Sequence, residues 1–173
     1  MKPSSLLCTI LLILSCHAEK RLKETHFFNL KVFFEQEANR LTKLNKSVNK
    51  SVVHNNMRQH KTLIIPNWKA ELSSFFESDI NKAAWRDSYR VLEDSQHITY
   101  TALDSNLRTR SITIKKNTNG APIQIDIINK TTNVLYQTQE QLTYKPHLVY
   151  TINKRQRVIL LGDNLYHITG KFN

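Results

Sequence analysis

The alternation of apolar and polar residues in the second half of the chain is the feature that most constrains its fold. From about Tyr89 onward the period is two, and residues 123–127 (IQIDI) alternate without a break. Val134 with Tyr136, and Val158 with Leu160, continue the pattern. Such alternation places apolar side chains on one face of each strand and polar side chains on the other.

Turn-forming residues separate these short segments. They include Asn119-Gly120, the stretch 130–133 (KTTN) and the stretch 162–164 (GDN). Short turns join antiparallel strands, whereas parallel strands need long crossovers. The second half therefore predicts an antiparallel meander with one face in water.

The first half of the chain has helical periodicity instead. Residues 26–45 predict an amphipathic helix, with apolar residues at three- and four-residue steps: Phe27, Leu30, Phe34, Ala38, Leu41 and Leu44. A hairpin is expected around Asn55-Asn56, because asparagine tolerates the positive φ of a tight turn.

Two further helices are expected before the meander begins. One is capped by Asn67 and has the spacing of an amphipathic helix, its apolar residues being Trp68, Leu72, Phe75 and Phe76. A short one after Asp79 would bury Ile80, Ala83, Ala84 and Trp85. The fold class predicted is therefore α+β, with N-terminal amphipathic helices packed on the dry face of a mostly antiparallel meander sheet.

The N-terminus has the three parts of an export signal. Lys2 gives a basic start, an apolar run covers residues 6–14, and small or polar residues follow. A membrane-spanning helix needs roughly 20 apolar residues, so this run is too short to remain as one. We expect a cleavable signal and an exported protein.

The end of this signal, Ile13-Leu14-Ser15-Cys16, resembles the lipobox of bacterial lipoproteins. In that family the cysteine thiol receives a diacylglycerol, the signal is cut just before it, and the new N-terminus is acylated. The resemblance implies a signal peptide over residues 1–15, a lipidated tether over 16–25 and a single domain over 26–173. Several acyl chains would hold that domain stably at a membrane. Ordinary cleavage after Ala18, giving a soluble secreted protein, is the alternative.

The net charge of +11 restricts the partners. In a cytosolic protein such a charge would suggest binding to nucleic acid. An exported protein does not meet nucleic acid, so we expect no such partner. The basic residues are scattered along the chain. They predict either a plain solvated surface or affinity for an anionic envelope surface, such as lipid headgroups or acidic glycans.

Motifs of catalysis and metal binding are missing from the sequence. None of the seven histidines forms a His-x-x-x-His pair, and Cys16 is the one cysteine beyond the signal. Three glycines are too few for a Gly-rich phosphate loop, and there is no Gly-x-Ser-x-Gly sequence. We therefore expect no metal, no cofactor and no enzymatic activity.

Paired aromatic residues are the remaining candidates for a site. One ring of each pair suits a core, which leaves the other available at its margin. A packed helix–sheet core is one interpretation. The other is an apolar groove for an acyl chain, a sugar or a partner protein, lined by Trp68, Phe75, Phe76 and Trp85.

In overall layout the chain resembles the small envelope lipoproteins of Bacteroidota-type bacteria: a lipobox signal at Cys16, an aromatic first helix and a helix-plus-meander body. The resemblance implies a periplasmic or outer-membrane-attached location. The expected function is non-enzymatic binding or scaffolding in the cell envelope, with another envelope protein among the possible partners. The alternative is a secreted binder that holds an apolar ligand between helices and sheet.

Overall fold

The structure is a computed structural model that describes residues 26–173. The predicted signal peptide, the lipidation site Cys16 and the tether lie outside these residues. The helices are α1 (Leu30–Leu44), α2 (Trp68–Glu71), α3 (Ser73–Phe76) and a 3₁₀ helix (Ala83–Trp85). The strands are β1 (Ser47–His54), β2 (Met57–Ile64), β3 (Tyr89–Glu93), β4 (His97–Ala102), β5 (Thr109–Lys116), β6 (Pro122–Thr132), β7 (Tyr136–Lys145), β8 (Val149–Val158) and β9 (Gly162–Phe172).

The strands form one nine-stranded antiparallel sheet in the order β2-β1-β9-β8-β7-β6-β5-β4-β3. The meander predicted for the second half is confirmed, since β3 to β9 pair in sequence order. The hairpin around Asn55-Asn56 is also confirmed, because β1 pairs with β2. The helical segment between β2 and β3 connects the two edges of the sheet. The sheet dominates the fold, and the few helices lie mostly near the N-terminus.

Helix α1 begins and ends at asparagines. The Asn29 side chain accepts a hydrogen bond from the Val32 N–H (2.9 Å), which satisfies a free donor of the first turn. Asn45 ends the helix in the left-handed conformation at φ 47°. The predicted stripe is buried from Leu30 to Leu41. Phe27 is buried as well, but it precedes the helix.

The second and third predicted helices differ from the expectation. Asn67 caps α2 as predicted, accepting from the Ala70 N–H at 3.0 Å. The helix then breaks at Leu72, so the segment forms two short helices instead of one. After Asp79 there is a single 3₁₀ turn, in which Ala83 and Ala84 are exposed. The prediction that Ile80 is buried is therefore confirmed, whereas the prediction of a regular helix after Asp79 was wrong.

Two alternating residues of the meander also lie elsewhere than predicted. Val134 and Leu160 fall in the β6–β7 and β8–β9 turns, where they are 86% and 99% exposed. The turns predicted at 130–133 and 162–164 lie mostly in strands, because β6 extends to Thr132 and β9 begins at Gly162. A hairpin shifted by a few residues satisfies the same local alternation, so the pattern did not fix where the chain reverses.

The core lies between the helices and one face of the sheet. The rings of Phe34, Phe75 and Tyr144 are fully buried and meet at centroid distances of 4.9 to 5.9 Å. Two core tyrosines also donate hydrogen bonds to helix carboxylates: Tyr144 to Glu37 and Tyr150 to Glu71, each at 2.5 Å. The opposite face of the sheet, which we call the open face, carries the polar residues of the alternation, and no helix formed by residues 26–173 covers it.

Candidate functional site

A row of polar side chains crosses the open face. The register pairs Thr113 with Asp126, Asp126 with Thr143, Thr143 with Thr151 and Thr151 with Thr169. Neighbouring strands lie about 4.8 Å apart, so hydrogen-bonding groups repeat at that spacing. Asp126 accepts from the Thr143 hydroxyl at 2.7 Å. The face therefore offers regularly spaced hydroxyl groups to a ligand lying across the strands.

Beside this row, a groove of about 430 Å³ crosses β1, β9, β8 and β7. A second hollow of about 170 Å³ adjoins it and shares Gln139 and Arg155. We call the two together the open-face groove. Its main lining side chains are Val53, Gln139, Gln141, Asn153, Arg155, Leu165 and His167, with Lys130, Gln137 and Arg157 in the smaller part.

The ring of His167 is fixed within the groove. Its Nδ1 is hydrogen-bonded to Asn153 Oδ1, and Thr169 Oγ1 lies 3.1 Å from its Nε2. These partners suit the neutral tautomer in which Nδ1–H donates to Asn153 and Nε2 accepts from the Thr169 hydroxyl. Because both ring nitrogens have partners, the ring is held in one orientation at the groove.

Two arginines are held side by side by one carboxylate. Asp163 accepts from Arg155 Nη2 at 2.7 Å and from Arg157 Nε at 2.8 Å. Hydrogen bonds from Arg157 and Arg155 hold the pKa of Asp163 well below its usual range. Each guanidinium bonds to Asp163 through its Nε and Nη2. Among the described residues, the Nη1 groups of both arginines are therefore free to donate to a ligand. A planar fork with free N–H groups is suited to carboxylate, phosphate or sulfate oxygens.

The charge of the open face is predominantly positive. The strand registers place the following basic residues on it: Arg58, Arg90, Lys115, Lys130, Lys145, Arg155, Arg157 and Lys171. Asp126 and Asp163 are the carboxylates that the same registers place there. The field of such a surface attracts anions over distances up to the Debye length, about 8 Å at physiological salt.

The four aromatic residues proposed from the sequence as a groove do not meet around a common cavity among the described residues. Phe75 is fully buried in the core, and Trp68 packs against Tyr150 and Phe172. Phe76 is partly buried and lines a shallow surface hollow, while Trp85 is half-buried with Lys82 Nζ 4.0 Å from its ring centroid.

Trp68 instead lines a small hollow at the end of α1. The hollow measures about 190 Å³ and has an apolar floor formed by Leu41, Val48, Trp68 and Phe172. Arg40, Lys46 and His147 lie at the same hollow. Its volume is below the roughly 300–1,000 Å³ that is typical of small-molecule sites.

Within residues 26–173, no group of three or more His, Cys, Asp or Glu side chains is arranged to hold a metal ion. None of the helices between His26 and Asn173 combines the length and apolar character needed to span a lipid bilayer.

Comparison of the chain with protein-family models, with curated proteins and with solved structures gives no match. The open-face groove therefore has to be interpreted from its own chemistry.

Sequence reasoning did not identify the groove residues. The open-face positions of β7 and β8 carried a signal, because amide and arginine side chains follow one another at every second residue of both strands. Gln137, Gln139 and Gln141 alternate along β7, and Asn153, Arg155 and Arg157 alternate along β8. Their adjacency becomes visible once β7 and β8 are paired.

Proposed function

We propose that the protein is an exported, lipid-anchored, non-enzymatic binding protein of the cell envelope, whose open-face groove holds an acidic glycan. The single observation that carries the binding part is the pair of Asp163-oriented arginines, Arg155 and Arg157, at a groove that side-chain amides also line. Export and lipidation rest on the signal and on Cys16.

The lining chemistry favours a polar anionic polymer over a neutral or apolar ligand. Carboxylate or sulfate groups match the free N–H groups of Arg155 and Arg157. Sugar hydroxyls match the amides of Gln139, Gln141 and Asn153, each of which both donates and accepts. The elongated groove and the row of threonines beside it suit a chain that crosses several strands.

A polyuronate such as an alginate oligomer is the probe that tests this proposal. Arg155→Gln with Arg157→Gln should weaken its binding at least tenfold, because two charge-assisted contacts are lost, each stabilising by about 1.5–3 kcal/mol. The matched control is Arg90→Gln with Lys115→Gln, which removes the same charge from the open face outside the groove. The measurement is isothermal titration calorimetry at physiological salt.

Equal weakening by the two pairs would mean that net charge alone attracts the polymer, and the groove proposal would fail. A neutral glucan and a single-stranded DNA oligonucleotide complete the comparison. Binding of the DNA as tight as that of the polyuronate, and equally sensitive to Arg155 and Arg157, would also contradict recognition of a glycan.

The anchor is tested separately in cells given a fatty-acid analogue. The wild-type chain should take up the label, and Cys16→Ala should abolish it, because the thiol is the acceptor of the diacylglycerol. A wild-type protein that never takes label would overturn the lipoprotein proposal and favour cleavage after Ala18. That result would leave binding at the groove untouched.

The 190 Å³ hollow at Trp68 supports a second candidate function, the binding of a small apolar ligand with an anionic head. Leu41, Val48 and Phe172 would contact its apolar part, and Lys46 its charge, because Arg40 is already paired with Glu37. A short-chain fluorescent fatty acid is the probe. Lys46→Gln should weaken its binding, whereas Arg90→Gln should not. Absence of binding to the wild-type protein would eliminate this candidate.

A further inference from the structure

Five large aliphatic side chains project into water at one end of the sheet. They belong to two hairpin turns and form what we call the apolar tip: Val134, Leu135, Ile159, Leu160 and Leu161. Leu135 and Leu161 are 69% and 80% exposed. Turns of this kind normally carry Gly, Asn, Asp, Ser or Pro, so five aliphatic residues are unusual there.

The two turns form one surface. Their strands β7 and β8 are neighbours, with Tyr136 paired to Val158. The Ile159 N–H donates to the Leu135 carbonyl at 3.1 Å, so the turns are hydrogen-bonded to each other. The adjacent β1–β2 turn is also attached, since the Asn55 N–H donates to the Leu165 carbonyl at 2.8 Å. Three hairpin ends therefore face the same way.

The conformation of Leu160 shows that folding does not account for this surface. Leu160 has a φ of 71°, in the left-handed region where glycine or asparagine is the usual residue. The residue is also almost completely exposed, so no packing in the described domain offsets the strain. A strained, exposed leucine at a turn points to a role outside the fold itself.

Basic residues lie directly behind the apolar tip. Arg157 is two residues before Ile159 and Arg155 four residues before it, which places their backbones about 7 and 13 Å from the tip at 3.3 Å per residue. Arg58 follows the neighbouring β1–β2 turn. Asp163, the carboxylate of the β8–β9 hairpin, is already paired with both arginines.

We infer that the apolar tip docks on, and inserts into, a lipid bilayer that carries anionic headgroups. The apolar face of an interfacial helix is buried about 5–10 Å into the headgroup and acyl boundary. We expect the projecting aliphatic side chains to enter to a similar depth, with the basic residues just behind them at the phosphates. The projecting shape and the charge behind it favour this occupant over a partner protein, which would need a complementary pocket for each turn. The surface adds a second membrane contact to the one proposed at Cys16.

A site-specific fluorophore tests the insertion whether or not the chain has an acyl anchor. In a Cys8→Ala/Cys16→Ala background of the full chain, Leu161→Cys is labelled with the dye NBD and mixed with phosphatidylcholine/phosphatidylglycerol vesicles. The emission should rise and shift to the blue, and spin-labelled lipids should quench it. The control is Thr118→Cys, an exposed position in the β5–β6 turn at the opposite end of the sheet. It should not respond.

An unchanged spectrum at position 161 with these vesicles would overturn the inference and leave a protein partner as the occupant to seek. A response at position 118 equal to that at 161 would also overturn it, because the contact would then be non-specific. Vesicles of phosphatidylcholine alone should give a weaker response at position 161, since the arginines lose their anionic partners. An equal response would refute the role of the charge.

Substitutions then measure the contribution of the tip. Leu160→Asn with Leu161→Asn should lower partitioning to anionic vesicles about tenfold or more. Leu148→Asn with Ile123→Asn removes two exposed aliphatic side chains from the opposite end and should leave partitioning unchanged. The double variant Leu160→Asn/Leu161→Asn should not weaken polyuronate binding. The double variant Arg155→Gln/Arg157→Gln should weaken both polyuronate binding and partitioning to vesicles. A failure of membrane docking is thereby distinguished from a failure of the groove.

Discussion

Gly170 lies directly under the ring of Tyr150, its partner across β8 and β9, and a β-carbon built on the glycine would stand 2.1 Å from Tyr150 Cε1. The ring is fully buried, and its hydroxyl donates to Glu71, which also pairs with Lys50 at 2.6 Å. Because residue 170 has no side chain, the Tyr150 ring can lie against its backbone, from where its hydroxyl reaches Glu71 of α2.

Gly170→Ala should lower the free energy of unfolding by about 1–3 kcal/mol, because the ring has to leave its place in a packed core. The cost should shrink in a Tyr150→Leu background, where no ring covers the glycine, and urea unfolding of the four proteins measures this coupling. Gly120→Ala is a useful comparison, since nothing lies within 4 Å of its β-carbon and its cost comes from φ 78° alone. Equal costs in both backgrounds would contradict the steric account.

Acid should weaken the contact between α1 and the sheet at Glu37. Burial acts to raise the pKa of this carboxyl, but hydrogen bonds from Arg40 and Tyr144 outweigh it, and the pKa lies below its usual value of 4.5. A carboxyl with a lowered folded-state pKa stabilises above its unfolded pKa, and that stability is lost as the pH falls through the folded value.

The expected result is that Glu37→Gln is less stable than wild type by about 1–2 kcal/mol at neutral pH, through loss of charge-assisted hydrogen bonds. The difference should diminish as the pH falls below 4.5. Urea unfolding from neutral to acidic pH measures it. Tyr144→Phe removes one of the hydrogen bonds and should show a smaller pH dependence of the same sign. Parallel profiles for wild type and Glu37→Gln would refute the prediction.

A half-exposed arginine pairs with a buried carboxylate at the end of the core near α3. Glu140 is 6% exposed and accepts from Arg108 Nη2 at 2.8 Å, with Asn129 Nδ2 at 3.3 Å. Arg108→Met should destabilise by about 1–3 kcal/mol, because the carboxylate is then left with the more distant Lys154 Nζ at 3.6 Å. Arg110→Met, in β5 two residues further along the chain, removes a hydrogen bond to the Asp104 carbonyl and should cost far less. Thermal unfolding of both variants provides the test, and equal losses would argue against it.

Stability and membrane docking should conflict at Leu160. Leu160→Asn should raise the free energy of unfolding by about 0.5–1 kcal/mol, since asparagine tolerates a positive φ that strains leucine. Leu161→Asn is the matched control, because Leu161 does not have a positive φ. This substitution should change the free energy of unfolding by no more than about 0.5 kcal/mol. Chemical denaturation measures both. A Leu160→Asn protein no more stable than Leu161→Asn would show that the turn carries no such strain.

The elements predicted well from sequence are those specified by neighbouring residues. Asn67 caps a helix as predicted, because a cap is a local hydrogen bond to a backbone N–H within the first turn. The stripe from Leu30 to Leu41 and the alternation of β6 likewise follow from local periodicity. The break in the helix at Leu72 could not be predicted in this way, because Trp68, Leu72 and Phe75 have the same spacing in one continuous helix and in two short helices.

The candidate site could not be predicted, since it joins residues distant in the chain. Val53 of β1 lies beside His167 of β9 because those strands pair, and nothing local in either segment specifies that pairing. The apolar tip was not predicted either, because local alternation does not specify the position of a turn. Val134 and Leu160 satisfied an alternating pattern, and their exposure depends on where each hairpin turns.

By itself, therefore, the sequence determined an aromatic first helix and a run of antiparallel strands, and it predicts an export signal with a candidate lipidation site at Cys16. Each is encoded in a short stretch of chain through hydropathy, capping or period. Only the tertiary structure decided which polar residues share the open face, where Arg155 and Arg157 meet Asp163, and which aliphatic residues remain in water. Those relationships depend on strand order and register, which are set by packing over the whole sheet and not by the residues next to them in sequence.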